Sequence, residues 1–160
     1  MNWDELFHMQ KELDTYIENH NNLTGEALFK RKVLALMVEL GELANETRCF
    51  KFWSAKPASA RAVILEEYVD GLHFILSLGI EIEAGMGTED YEEYADLTNG
   101  FLKVYEEVNR FSTSPCQETY QALFTSYLTL GRTIGFSEQD VQDAYLAKNK
   151  VNYERQDKGY

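Results

Sequence analysis

Residues 59–80 read SARAVILEEYVDGLHFILSLGI. Apolar side chains (Val63, Ile64, Leu65, Val69, Leu72, Phe74, Ile75, Leu76 and Leu78) fall on nearly every face of a 3.6-residue spiral. A helix that is apolar almost all round belongs at the centre of a bundle. The preceding CFKFWSAKPA (49–58), aromatic and basic and closed by Pro57, reads as a connection. Before it, Val33, Leu36, Met37, Leu40 and Leu43 make a core stripe over 26–47. A first helix over 3–19 carries Leu6, Met9, Leu13, Tyr16 and Ile17 at spacings of three and four, and ends in an asparagine-rich cluster ahead of Gly25. Beyond the central helix, further helices are expected over 93–111 and 117–133, separated by Ser112-Thr-Ser-Pro115. Ser137-Glu-Gln-Asp140 has the form of a capping box that opens a last helix from about 138 into the 150s. No stretch alternates polar and apolar over a strand's length. The expectation is one all-α domain spanning 1–160, with five to six helices around a four-helix core.

At 160 residues the chain suits one sizeable core. Its longest purely apolar run, Val33 to Val38, is six residues, far short of a membrane span, so no membrane partner is expected. The segment MNWDELFHMQ carries two acids and no Lys or Arg, the wrong charge for a secretory or organellar leader, and a cytoplasmic location is expected. Cys49 and Cys116 lack metal-ligand or disulfide-framework spacing. Fifteen basic against 27 acidic residues give a net charge of -12, which argues against a binder of nucleic-acid polymers. A phosphorylated small molecule remains compatible if carboxylates hold divalent cations that reverse the local charge. Seven acids lie in 81–96 (Glu81, Glu83, Glu89, Asp90, Glu92, Glu93, Asp96) with Gly85 and Gly87, and read as a solvated linker. The C-terminal stretch, with Lys148, Lys150, Arg155 and Lys158, is the most basic part.

Two short patterns carry the chemistry: Glu39-Leu-Gly-Glu42 on the second helix and Glu67-Tyr-Val-Asp70 on the third. A spacing of three places each pair on one helical face, about one turn apart. Exposed acids on amphipathic helices are the ordinary reading of such pairs. The third helix resists it, because carboxylates on a buried helix are costly without cations or hydrogen bonds. Hard oxygen ligands without thiolates suit Mg²⁺ or Mn²⁺. Glu5-x-x-His8 and Asp70-x-x-His73 have the spacing of a di-iron bundle, but that scheme leaves the doubled ExxE unexplained. His8 and His20 read as surface residues.

Glu39-x-x-Glu42, 24 intervening residues, then Glu67-x-x-Asp70 resembles the metal signature of the all-α nucleoside triphosphate pyrophosphohydrolase superfamily, which includes MazG-like proteins. ELGELANETRCFKFW followed by EEYVDGLHF is similar to the dimeric all-α dUTPases, especially short bacterial and phage members. Gln10-Lys-Glu-Leu-Asp14 and Lys148-Asn-Lys-Val-Asn152-Tyr-Glu-Arg155 resemble that family's first and last motifs. The resemblance implies a homodimer in which Glu39, Glu42, Glu67 and Asp70 hold Mg²⁺. Water then cleaves dUTP to dUMP and pyrophosphate, dUDP being a further substrate, and this limits uracil incorporation into DNA. The ions would polarise the phosphate and neutralise developing charge, while Glu39 or Glu42 takes the proton from water. Lys148, Asn152 and Arg155, spaced four and three apart, share a helical face suited to phosphate oxygens. Gln10, Asp14 and Trp53 match residues that read uracil, and His73 and Phe74 match residues that pack near the nucleoside. Asp14 stands where longer relatives usually have Asn, and an ionised Asp cannot donate to a uracil carbonyl. A dCTP-using or broader house-cleaning pyrophosphatase is therefore the alternative.

Overall fold

The computed structural model describes residues 1–85 and 91–160. Six helices follow in order: α1 (Trp3–His20), α2 (Phe29–Thr47), α3 (Arg61–Glu81), α4 (Leu97–Thr113), α5 (Gln117–Ile134) and α6 (Glu138–Asp157). No strand occurs among the described residues. The bundle is all-helical, as the periodicity predicts, and α3 runs through its middle in contact with α1, α2, α5 and α6. α4 leans on α2 and α5. Ile64, Tyr68, Val69, Leu72, Ile75, Leu76 and Leu78 of α3 are all buried, whereas Val63 at its first turn is partly exposed. No described helix is long and apolar enough to cross a membrane.

Helix ends follow local chemistry. Ser137 and Asp140 form the expected capping box, each side chain accepting from the other's backbone N–H. α4 begins four residues later than the periodicity suggests, because the Asp96 carboxylate accepts from the Asn99 N–H at 2.8 Å and starts the helix there. α2 starts three residues later than expected, after a turn through Gly25, whose φ of +83° favours glycine. The acidic stretch is more than a solvated linker. Tyr94 and Tyr91 pack on the core, the Tyr94 hydroxyl donates to the Ser126 carbonyl at 3.2 Å, and Arg132 donates to the Tyr91 carbonyl at 3.1 Å. Gly87, Glu89 and Asp90 of that stretch lie outside the described residues.

α3 and α5 are locked together by tyrosines set against glycines. Tyr127 lies over Gly71, Tyr120 over Gly79, and Tyr68 over Gly131. The Tyr127 hydroxyl donates to the Tyr68 carbonyl at 2.6 Å, and the Tyr68 hydroxyl donates back to the Tyr127 carbonyl at 3.1 Å. The Tyr120 hydroxyl donates to the Ile75 carbonyl at 2.8 Å. Missing Cβ atoms let the rings approach, and the buried hydroxyls find backbone acceptors. This lock holds the α3 turn that carries Glu67 and Asp70.

Candidate active site

α2 and α3 form the most extensive helix pair in the bundle, and their carboxylates meet across it. Glu39, Glu67 and Asp70 each offer one oxygen, and the three oxygens lie within 4.8 Å of one another. Glu42 is exposed and outside that group, but it shares a hydrogen bond with Glu39. Burial first, then the nearby Asp70, Glu42 and Glu67, pushes the Glu39 carboxyl up to about 8. Burial and the neighbouring acids raise Glu67 as well, and burial raises Asp70 against the pull of Lys148. One Glu39 oxygen is buried with no hydrogen-bond partner. Convergent hard oxygens, mutual repulsion and an orphaned acceptor fit Mg²⁺ or Mn²⁺.

The raised Glu39 carboxyl ties metal-free stability to pH. The folded state favours its protonated form, so metal-free stability is full below about 4.5 and is lost progressively as pH rises towards 8. Glu39→Gln abolishes that loss. Because Glu39 is only half buried, solvent screening reduces the gain to about 1–2 kcal/mol. In EDTA at pH 8 the variant will melt roughly 2–8 °C above wild type, and the difference will fade by pH 5. A lower Tm at pH 8 would show that repulsion does not govern this cluster.

An open cavity of about 360 Å³ runs beside these acids. Glu39, Asp70, Lys148, Asn152 and Arg155 line it together with Gln10, Asp14, His73, Phe74 and Ser77. Lys148, on α6, donates to Asp70 Oδ2 and to Glu66 Oε1, both at 2.9 Å. The Arg155 guanidinium sits over the Tyr160 ring, 4.9 Å from its centroid. Trp53 does not line this cavity: it is exposed and packs edge-on against Phe50 and Phe52.

A hydrogen-bonded network lies beneath the cavity. Gln10 Oε1 accepts from the Tyr145 hydroxyl at 2.9 Å and from His73 Nδ1 at 2.6 Å. Since an amide oxygen only accepts, His73 carries its proton on Nδ1. Burial, then Lys148, pushes its pKa down to about 3, so the ring is neutral and its buried Nε2 is an unpartnered acceptor. Gln10 Nε2 donates to Asp14 Oδ1 at 2.8 Å, and Ser77 donates to Asp14 Oδ2 at 2.6 Å. Asp14 thus fixes the Gln10 amide as much as it faces the cavity.

Sequence reasoning missed Ser77, Tyr145 and Lys32. Ser77 is one turn beyond His73, Tyr145 three residues before Lys148, and Lys32 seven before Glu39. Each therefore lies on a helical face already singled out, and extending those faces by one or two turns would have found them. Lys32 lines the cavity and pairs with Glu81 at 2.7 Å. The di-iron scheme finds no support: His8 is exposed beside Glu12, and the carboxylate cluster among the described residues includes no histidine. His20 is likewise exposed.

A family model described as dUTPase matches residues 2–160 of the chain. No curated protein matches it.

Proposed function

The chain belongs to the dUTPase family, and from that premise we propose that it is a Mg²⁺-dependent enzyme that hydrolyses dUTP, and also dUDP, to dUMP. Pyrophosphate leaves from dUTP, and the activity limits uracil incorporation into DNA. One observation carries the reading: the acids Glu39 of α2 and Asp70 of α3, the Lys148 and Arg155 cations of α6 and the polar side chains Gln10, Asp14, His73 and Ser77 border a single cavity. Acids alone would repel a triphosphate, whereas this arrangement offers it cation ligands and direct donors together.

Glu39, Glu42, Glu67 and Asp70 are the residues that would hold Mg²⁺, with Mn²⁺ as a substitute. The bound ion supplies charge neutralisation and polarisation of the phosphate. Lys148, Asn152 and Arg155 grip phosphate oxygens. Glu39 or Glu42 accepts the proton of the attacking water. Gln10, Asp14, His73 and Phe74 receive the nucleoside. Trp53 reaches the base only if the 49–58 connection or a second subunit brings it there.

A nucleotide panel with and without Mg²⁺ tests the proposal. The expected result is release of dUMP and pyrophosphate from dUTP, suppressed by EDTA, with kcat/KM for dUTP at least tenfold above dCTP or dTTP. A second reading rests on Asp14, an acceptor when ionised and thus able to receive the amino group of cytosine. A dCTP preference would install that reading in place of the first.

We also propose that the chain acts as a homodimer in the cytoplasm. Leu34 and Val38, one turn apart on α2, together with Leu102, Phe52 and Trp53, leave large apolar surface exposed on the single chain. Light scattering coupled to gel filtration should return twice the chain mass, and a monomer at micromolar concentration would contradict the assignment.

A further inference from the structure

We propose that Lys148 is a built-in counter-ion: its ammonium occupies the carboxylate site until nucleotide phosphate draws it away, so that cation and nucleotide bind cooperatively. The inference rests on the metal-dependent reading above and concerns what the site does before substrate arrives.

Three cationic side chains line the cavity. Lys32 is paired with Glu81, and the Arg155 guanidinium lies over the Tyr160 ring. Lys148 alone bonds a candidate metal ligand, reaching Asp70 Oδ2 and Glu66 Oε1 at 2.9 Å each, with its side chain 9% exposed. Asp70 is shared: the oxygens it and its neighbours Glu39 and Glu67 offer lie within 4.8 Å of one another. A divalent ion entering that group meets an ammonium already held on the same carboxylate, and the two cations repel in a partly desolvated setting. The ammonium must move for the ion to bind well.

Lys148 has somewhere to go. It borders the cavity with Asn152 and Arg155, and a lysine stem carries its ammonium several ångströms by rotamer change. A triphosphate in the cavity offers that ammonium a more highly charged partner than Asp70. Its transfer frees Asp70 for the cation, and by linkage a bound cation favours the same transfer. In the resting protein Lys148 relieves the repulsion among the acids, and free cation binds weakly. Once substrate is present, one movement opens the cation site and clamps the phosphate.

The experiment is a titration of the metal-free full-length chain with Mn²⁺ alone, followed by electron paramagnetic resonance of the free ion. It is run at fixed pH and ionic strength, then repeated with saturating α,β-imido-dUTP. Lys148→Met should bind Mn²⁺ alone about tenfold more tightly than wild type, within the usual range of coupling effects. Lys148→Arg, which keeps the charge, should stay within about threefold of wild type, as should Lys150→Met, which removes an exposed α6 cation that does not line the cavity. The analogue should tighten Mn²⁺ binding by a larger factor in wild type than in Lys148→Met. Circular dichroism verifies folding, and Lys148→Gln replaces Lys148→Met if the latter does not fold. Unchanged Mn²⁺ affinity in the charge-removing variant would make Lys148 a phosphate clamp only, and weaker affinity would make it a structural strut. Either overturns the proposal, as does an equal gain in Lys150→Met. No Mn²⁺ binding by any variant would overturn the metal-dependent reading itself, whereas wild-type-like binding throughout leaves that reading standing and removes only the counter-ion.

Discussion

Asp70→Asn is expected to lower kcat/KM for dUTP by about 10²–10³-fold, the loss typical when one group that stabilises developing charge is removed. Asp70 is the meeting point of the site. Its carboxylate completes the oxygen cluster with Glu39 and Glu67, and it receives Lys148 from α6. Asparagine preserves shape and one acceptor while deleting the charge, so a lost activity reports chemistry and not packing. Burial already raises the Asp70 carboxyl, so neutralising it costs the metal-free fold little. The variant should melt within about 3 °C of wild type in EDTA. Asp143→Asn, an exposed acid on α6 bonded to Gln139, is the matched control and should keep activity within about twofold. Retention of more than a tenth of wild-type kcat/KM by Asp70→Asn would remove Asp70 from the site.

The features that were legible in advance lie on helices. A residue's face follows from its number once the period is known, so spacing pairs Glu39 with Glu42 and Glu67 with Asp70 on their own helices, whereas the role of Lys148 beside them came from the family resemblance. Even Glu42 illustrates the limit of that method. Three residues from Glu39 it shares the face broadly, but the packing of α2 on α3 leaves it exposed while Glu39 is half buried. Trp53 shows a different limit, since it sits in the connection between α2 and α3, where no period operates and Arg48 turns the chain through a left-handed cap. Asp14 shows a third. Its acceptor chemistry was clear, and its bond to Gln10, four residues away on α1, follows from the period, but Ser77 of α3 claims its other oxygen, and such pairing across α1 and α3 depends on register between helices that are distant in sequence. The tyrosine lock was hidden for the same reason: a glycine in an apolar helix announces close approach without naming the ring that approaches.

Gly71→Ala poses that lock as a contest of two effects. In an isolated helix alanine is better than glycine by roughly 1 kcal/mol, and propensity alone predicts stabilisation. Here a methyl at position 71 would overlap the Tyr127 hydroxyl. Tyr127 is fully buried and bonded to the Tyr68 carbonyl, so the ring cannot turn out to solvent. Accommodation requires α5 to move off α3 or the hydroxyl to abandon its bond. Overpacking of this kind costs about 1–3 kcal/mol, and a lost buried hydrogen bond adds about 1 kcal/mol or more. Packing therefore outweighs propensity, and the net loss should be about 1–3 kcal/mol, a fall of roughly 2–12 °C in Tm. Because Gly71 follows Asp70 directly, the same displacement should weaken Mn²⁺ binding. The decisive comparison is a double-mutant cycle with Tyr127→Phe, which removes the overlapping oxygen and leaves the ring carbon beneath it 3.0 Å from the new methyl. In that background Gly71→Ala should cost less than about 1 kcal/mol. If the alanine is equally damaging with phenylalanine at 127, or stabilising in the wild-type background, the hydroxyl is not what holds position 71 to glycine.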